Sequence, residues 1–241
     1  SIRDEQLLPW PRTEDEIRKD LHEYYAVITA MDHHIGRIVA ALKELGQLDN
    51  TIILFSADQG IAIGSHGLLG KQNLYNAGMN SPLFLAGPGI PKGESRAMVY
   101  LLDIYPTICD FAGAPVPAGI DGISFKPVIE GKAATTRDEL FLSYQQVQRA
   151  VIADGWKLIR YPQINRSQLF DFANDPYELQ DLSADASQAG RIAGLMAKLE
   201  KWQKHYGDDL PLTSANPKPA EWSPPSPDEL KKPGKKKAKQ K

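Results

Sequence analysis

The run TIILF at residues 51–55 constrains the fold more than any other stretch of this chain. A short, unbroken apolar run offers no polar face to water, so it predicts a strand covered on both sides, as in the parallel sheet of an α/β domain. The residues before it, 13–45, carry a different period. Leu21, Tyr24, Tyr25, Ile28, Met31, Ile35, Ile38, Val39, Leu42 and Leu45 recur at intervals of three and four, which predicts a long amphipathic helix. Thr13 followed three residues later by Glu16 has the form of a capping box, and Gly46 supplies the C-terminal stop. Helix followed by buried strand is the repeating unit of an α/β fold.

PLFLAG (82–87), closed by the turn residues GPGIPKG (87–93), predicts a second strand. VYLLDIYPTICDF (99–111) suits a helix in which Pro106 falls near the first turn. GAPVPAGIDG (113–122) reads as a loop, and ISFKPVIEG is too interrupted by proline to assign. From about residue 139 the texture changes to short strands: ELFLSYQ, RAVIADGWKLIRY and SQLFDF, with Ala-Asp-Gly marking a hairpin. Helical pattern returns over 184–206. The expected division is therefore the end of an α/β domain (1–135), a small α+β domain (136–206) and a disordered Pro- and Lys-rich tail (207–241).

Charge argues against a nucleic-acid partner. The net charge is −2, but seven lysines lie in the last eleven residues, KKPGKKKAKQK; without them 21 basic residues face 30 acidic ones, a balance of −9. No run of about 18 apolar residues exists to span a membrane. Cys109 is the single cysteine, so no intramolecular disulfide forms, and its apolar neighbours make it a buried helix cysteine. The first residues, SIRDEQLLPWPRTEDE, contain no apolar signal core and begin with Ser, which raises the expectation of a processed or truncated chain.

Ligands of open α/β sheets sit beyond the carboxyl ends of the strands, so the loop after TIILF is where a site is expected. It opens with Asp58 and Gln59, two oxygen donors, followed by Gly60, and continues through His66 to Lys71. Oxygen-only donors favour a hard cation such as calcium, with magnesium second, over zinc. Two donors cannot fill a shell of six or more, so further ligands must come from elsewhere. Taken singly, Asp58-Gln59-Gly60 reads first as a turn and Lys71 as a solvated surface charge.

In order and together, LDNTIILFSADQG, SHGLLGKQNLYNAGMNSPLFLAGPGIP, LLDIYPTICDFAGAPVPAGIDGISFKPVIEG, RAVIADGWKLIRY and QLFDFANDPYELQDLS resemble the second half of the type I sulfatases, within the alkaline phosphatase superfamily. The resemblance covers roughly residues 20–205. It implies the C-terminal part of an alkaline-phosphatase-like mixed sheet sandwiched by helices, plus a small antiparallel sheet with a C-terminal helix. It also implies that Asp58 and Gln59 are the two late calcium ligands and that Lys71 is the catalytic lysine contacting the sulfate and its bridging oxygen. His66 falls in the variable loop, where it either lines the substrate pocket or serves the turn. Gln59 stands where phosphatases and phosphodiesterases of this superfamily carry a zinc-binding histidine, which favours a sulfuric ester substrate.

The family nucleophile, a formylglycine made within a C/S-x-P/A-x-R motif, has no counterpart here; Cys109, Ser65 and Ser81 all lack the motif. The resemblance therefore implies a missing N-terminal half as partner, a sulfate ester such as a sulfated carbohydrate as substrate, and a periplasmic or secreted location. Asn76 replaces the family's usual Glu, and NAGMNSP loses an Arg from the common pattern. Two alternatives stay open: a phosphoester or phosphonate hydrolase of the same superfamily, and a non-catalytic chain that keeps the fold.

Overall fold

In the computed structural model, residues 7–8, 10–221, 223–224, 226 and 228 are described. The lysine-rich stretch 231–241 lies outside them. The first element is the long helix predicted from periodicity, α1 (Glu14–Glu44). Its start is fixed by the Thr13–Glu16 capping box, in which Glu16 N–H donates to Thr13 Oγ1 at 3.3 Å and Thr13 N–H donates to Glu16 Oε2 at 3.1 Å. Yet α1 buries none of its residues; Val27 is 67% and Ile38 64% exposed. An apolar stripe of this length is built to face a neighbour, and the described residues of this chain leave it only partly covered.

TIILF yields β1 (Ile53–Ser56), and PLFLAG yields β2 (Leu83–Ala86). Between them lies the four-residue helix α2 (Asn76–Met79). The expectation of a parallel strand covered on both faces is corrected here: β1 pairs antiparallel with β2 alone, from Ile53 opposite Ala86 to Ser56 opposite Leu83. Both strands are only partly buried, and Phe84 of β2 is 64% exposed. An apolar run states how much surface a strand must hide, but not which neighbour hides it or in which direction that neighbour runs.

The helix at 99–111 forms as a 3₁₀ turn (Leu101–Asp103) running into α3 (Ile104–Ala112), with Pro106 in the first turn. Its anchor is Asp103, fully buried. The carboxylate accepts Tyr100 N–H at 2.6 Å and Ile123 N–H at 2.8 Å, and forms a two-pronged ion pair with Arg137. Gly122 passes so close to the 3₁₀ turn before α3 that a Cβ would stand 2.4 Å from Leu102 O. The proline-interrupted stretch beyond it forms α4 (Lys126–Ile129), because Pro127 falls in the first turn, where no helical N–H is lost.

The four short strands form an antiparallel meander, β3 (Glu139–Tyr144), β4 (Gln148–Ala153), β5 (Trp156–Tyr161) and β6 (Arg166–Phe170), paired in that order. The β4–β5 turn is Asp154-Gly155, with φ of +54° and +78°, the left-handed pair that a two-residue hairpin needs. This sheet is buried on both faces. Val151, Ala153, Leu158 and Leu169 meet Leu195 and Leu199 of the final helix α5 (Ala189–Tyr206). Ala150, Ile159, Tyr161 and Phe170 meet Leu68, Leu74 and Tyr75 of the loop that follows β1.

The segment after α5 stays on the sheet further than its composition predicts. Asp208 pairs with Arg149 through both carboxylate oxygens, Leu212 is buried, Ser214 N–H donates to Asn165 Oδ1, and Lys218 N–H donates to Gln163 O. No helix among the described residues is long and apolar enough to cross a membrane.

Helix α5 is clamped to β3 by Glu139, which accepts from Lys198 at 2.5 Å, Trp202 Nε1 at 2.5 Å and Lys201 at 3.2 Å. The Lys198 hydrogen bond, followed by those of Trp202 and Lys201, lowers the Glu139 carboxyl from 4.5 to about 2. A carboxyl depressed in the folded state contributes stability above its unfolded value and loses it as pH falls through the folded one. Stability measured by urea titration should therefore decline between pH 4.5 and about 2, and Glu139→Gln should remove about 1 kcal/mol at neutral pH while flattening that decline.

Candidate functional site

The loop between β1 and α2 is folded back on itself by backbone hydrogen bonds. Ala62 N–H donates to Gly70 O, Ile63 N–H to Leu69 O and Gly64 N–H to Leu68 O, so residues 62–70 form a closed excursion with Asp58-Gln59-Gly60 at one foot and Lys71 at the other. That closure brings Lys71 Nζ to 3.4 Å from Asp58 Oδ2. Both side chains stand open to water, at 45% and 76% exposure, and Gln59 is exposed beside them. An ion pair this accessible contributes about 1 kcal/mol or less, so folding is not what it serves.

His66 sits at the tip of the excursion in a left-handed conformation, φ +55°. Its ring lies flat on Tyr75, centroids 3.8 Å apart and planes 10° from parallel, while the Tyr75 hydroxyl donates to Gln168 Oε1 on β6. Of the four residues singled out from sequence, the fold thus gathers Asp58, Gln59 and Lys71 at the carboxyl end of β1 and sets His66 against a buried tyrosine.

The donors present suit a hard cation: a carboxylate and an amide oxygen, adjacent, exposed, with no imidazole or thiolate joining them. They amount to part of a shell. Among the described residues no group of three or more His, Cys, Asp or Glu side chains could hold a metal ion. Lys71 adds a compact positive charge at the same spot, which fits an anionic ligand carried by such a cation.

The loop is fixed from the sheet side by polar residues the sequence reading passed over. Gln148 of β4, Gln168 of β6 and Lys157 of β5 share the sheet face turned toward the loop. Gln148 Oε1 accepts Leu74 N–H at 2.9 Å. Lys157 Nζ stands 2.5 Å from Glu178 Oε1, with both side chains out of water, and Glu178 Oε2 accepts Asn76 N–H at 2.6 Å. Burial pushes the Lys157 ammonium below the ordinary lysine value, and the Glu178 carboxylate opposes that shift. One signal was present in sequence: a lysine inside the apolar strand WKLIRY, on the face of Ile159 and Tyr161, requires a buried partner. Asn76, which departs from the family pattern, spends its side chain on the same connection, donating to Pro176 O at 3.0 Å.

The chain is similar to sulfatases and also to phosphonate monoester hydrolases. The sulfatase family model matches residues 7–114, and the model described as N-sulphoglucosamine sulphohydrolase, C-terminal, matches 64–205. An N-acetylglucosamine-6-O-sulfatase of Bacteroides thetaiotaomicron is 32% identical over 224 residues, covering 87% of this chain and 39% of that protein. A structure solved with its substrate D-glucosamine-2-N,6-O-disulfate superposes with a TM-score of 0.70 at 32% identity, covering 78% of this chain and 41% of the other. A phosphonate monoester hydrolase from Silicibacter pomeroyi superposes with a TM-score of 0.73 at 25% identity, over 85% and 44%. The chain spans about two-fifths of the length of these relatives.

Gly60 is the tightest point of the arrangement, since a Cβ there would stand 2.2 Å from Ala77 O and 2.9 Å from Asn80 O. Both obstacles are backbone, so the turn itself has to move. Gly60→Ala should lower the unfolding free energy by about 1–3 kcal/mol in a urea titration, whereas Gly93→Ala, with open space around it, should change it by less than about 0.5 kcal/mol.

Proposed function

The chain belongs to the sulfatase family, and we propose that it supplies the late half of a sulfatase active site that hydrolyses sulfate esters, with a sulfated carbohydrate as substrate. The observation that carries the reading is the placement of Lys71 over the exposed Asp58-Gln59 turn at the carboxyl end of β1. In this reading Asp58 and Gln59 hold one calcium ion. When bound, calcium polarises the sulfate oxygens as a Lewis acid. Lys71 leaves Asp58 for the sulfate group and neutralises the negative charge that gathers on the bridging oxygen as the S–O bond breaks. His66, held flat on Tyr75, is in this reading a residue of the substrate pocket.

The formylglycine nucleophile and the remaining ligands belong to a preceding part of the enzyme. Two observations support such a partner: the open apolar face of α1, and the two-fifths of its relatives' length that this chain spans. The carbohydrate assignment is supported by the likeness to the N-acetylglucosamine-6-O-sulfatase and to the structure solved with disulfated glucosamine.

A phosphonate monoester hydrolase is the second reading, favoured by the likeness to the Silicibacter enzyme. Gln59 argues against it, because an amide oxygen is a poor zinc ligand and a good partner for a single hard cation.

In the full-length protein, Lys71→Ala and Asp58→Asn should each lower kcat on a sulfated glucosamine by about 10²–10³-fold. Asp58→Asn should also abolish calcium uptake in calorimetry, and matched sulfate and phosphonate esters should show the sulfate turned over faster. Unchanged turnover in both variants, or a preference for the phosphonate, would overturn the respective assignment.

A further inference from the structure

Both halves of the site rest on the short helix α2. On one side Gly60 N–H donates to Gly78 O at 3.0 Å, which lays the Asp58-Gln59 turn flat against the helix. On the other, Lys71 precedes α2 by a tight turn closed by Asn73, whose Oδ1 accepts Tyr75 N–H at 3.0 Å and whose Nδ2 donates to Gly70 O at 3.5 Å. A four-residue helix cannot hold itself, and α2 has no capping side chain from its own N-terminus. Its first N–H is instead taken by Glu178, 102 residues further along the chain.

Glu178 is in turn over-determined. Its backbone is left-handed, φ +57°, and the turn before it is set by Asp175, whose carboxylate accepts Leu179 and Gln180 N–H. Its other carboxylate oxygen faces Lys157, whose ammonium also lies 5.5 Å from the Phe172 ring. Stability alone is a weak reason to keep such a pair, because a buried ion pair is commonly replaceable by apolar residues of similar size at little or no cost. An apolar residue cannot, however, accept the first amide of α2.

We propose that Glu178, held in place by Lys157, is a positioning residue for the site: through Asn76 N–H it fixes α2, and through α2 it sets the spacing between the Asp58-Gln59 turn and Lys71. The proposal rests on reading those three residues as the reacting end of a sulfatase. It assigns to the small sheet domain, through Glu178 and Lys157, a part in catalysis that needs no contact with the substrate.

Two double variants of the full-length protein separate positioning from stability. Lys157→Met with Glu178→Leu removes the charges and the acceptor; Lys157→Met with Glu178→Gln removes the charges and keeps an acceptor for Asn76. In the first, hydrogen exchange in peptides covering 57–61 and 72–80 should accelerate about tenfold while β4 and β5 keep their protection, and kcat should fall about tenfold or more with KM little changed. The second should restore both. Glu178→Asp, which keeps the pair but shortens the reach to Asn76, should match the first variant. Equal exchange and equal kcat in the two double variants, or acceleration spread evenly over the sheet, would overturn the proposal. The expected exchange pattern in a protein that turns over no sulfate ester would sink the sulfatase reading and leave the positioning role standing.

Discussion

Everything in this structure that bears on chemistry depends on a sheet that is buried on both faces. An antiparallel meander ordinarily keeps one face wet, and a sheet covered twice must match two unrelated surfaces. Here α5 covers one face with leucines, and the loop after β1 covers the other with Leu68, Leu74 and Tyr75. The first contact is apolar and interchangeable in detail. The second carries Gln148, Gln168 and Lys157 into the dry layer, each joined to the loop directly or through Glu178. Polar groups in such a layer are expensive unless partnered, so they fix one register of loop on sheet where apolar packing alone would allow several.

Local signals were legible from sequence and held. The capping box at Thr13, the left-handed Asp154-Gly155 turn and Pro106 in a first turn are each decided within a few residues. What depended on neighbours was not legible. TIILF announced buried surface, but the antiparallel partner and the half-open faces are properties of what surrounds it. Pro127 looked like a breaker and proved to sit where a helix tolerates it. Composition placed everything after residue 206 in a tail, yet Asp208 and Leu212 tie that segment to the sheet before the prolines and lysines begin.

The site divides in the same way. Asp58, Gln59 and Lys71 were singled out because their order follows a strand in a recognisable pattern, and the loop closure at 62–70 brings the two ends together. Glu178 was not found, although its segment was noticed, because the amide it serves is 102 residues away and no periodicity links them. Asn76 shows the converse: what reads as a departure from the family pattern is a residue engaged with Pro176.

The exposure of the Asp58–Lys71 pair carries a last consequence. The two charges lie against each other while both stay open to water. In the proposed reading, a cation entering at Asp58 and an anion entering at Lys71 would each replace one half of that contact. Because the pair is open to solvent, giving it up costs about 1 kcal/mol or less, roughly a fivefold loss of affinity. In that reading the resting contact is a placeholder weak enough to be exchanged for a ligand at little cost.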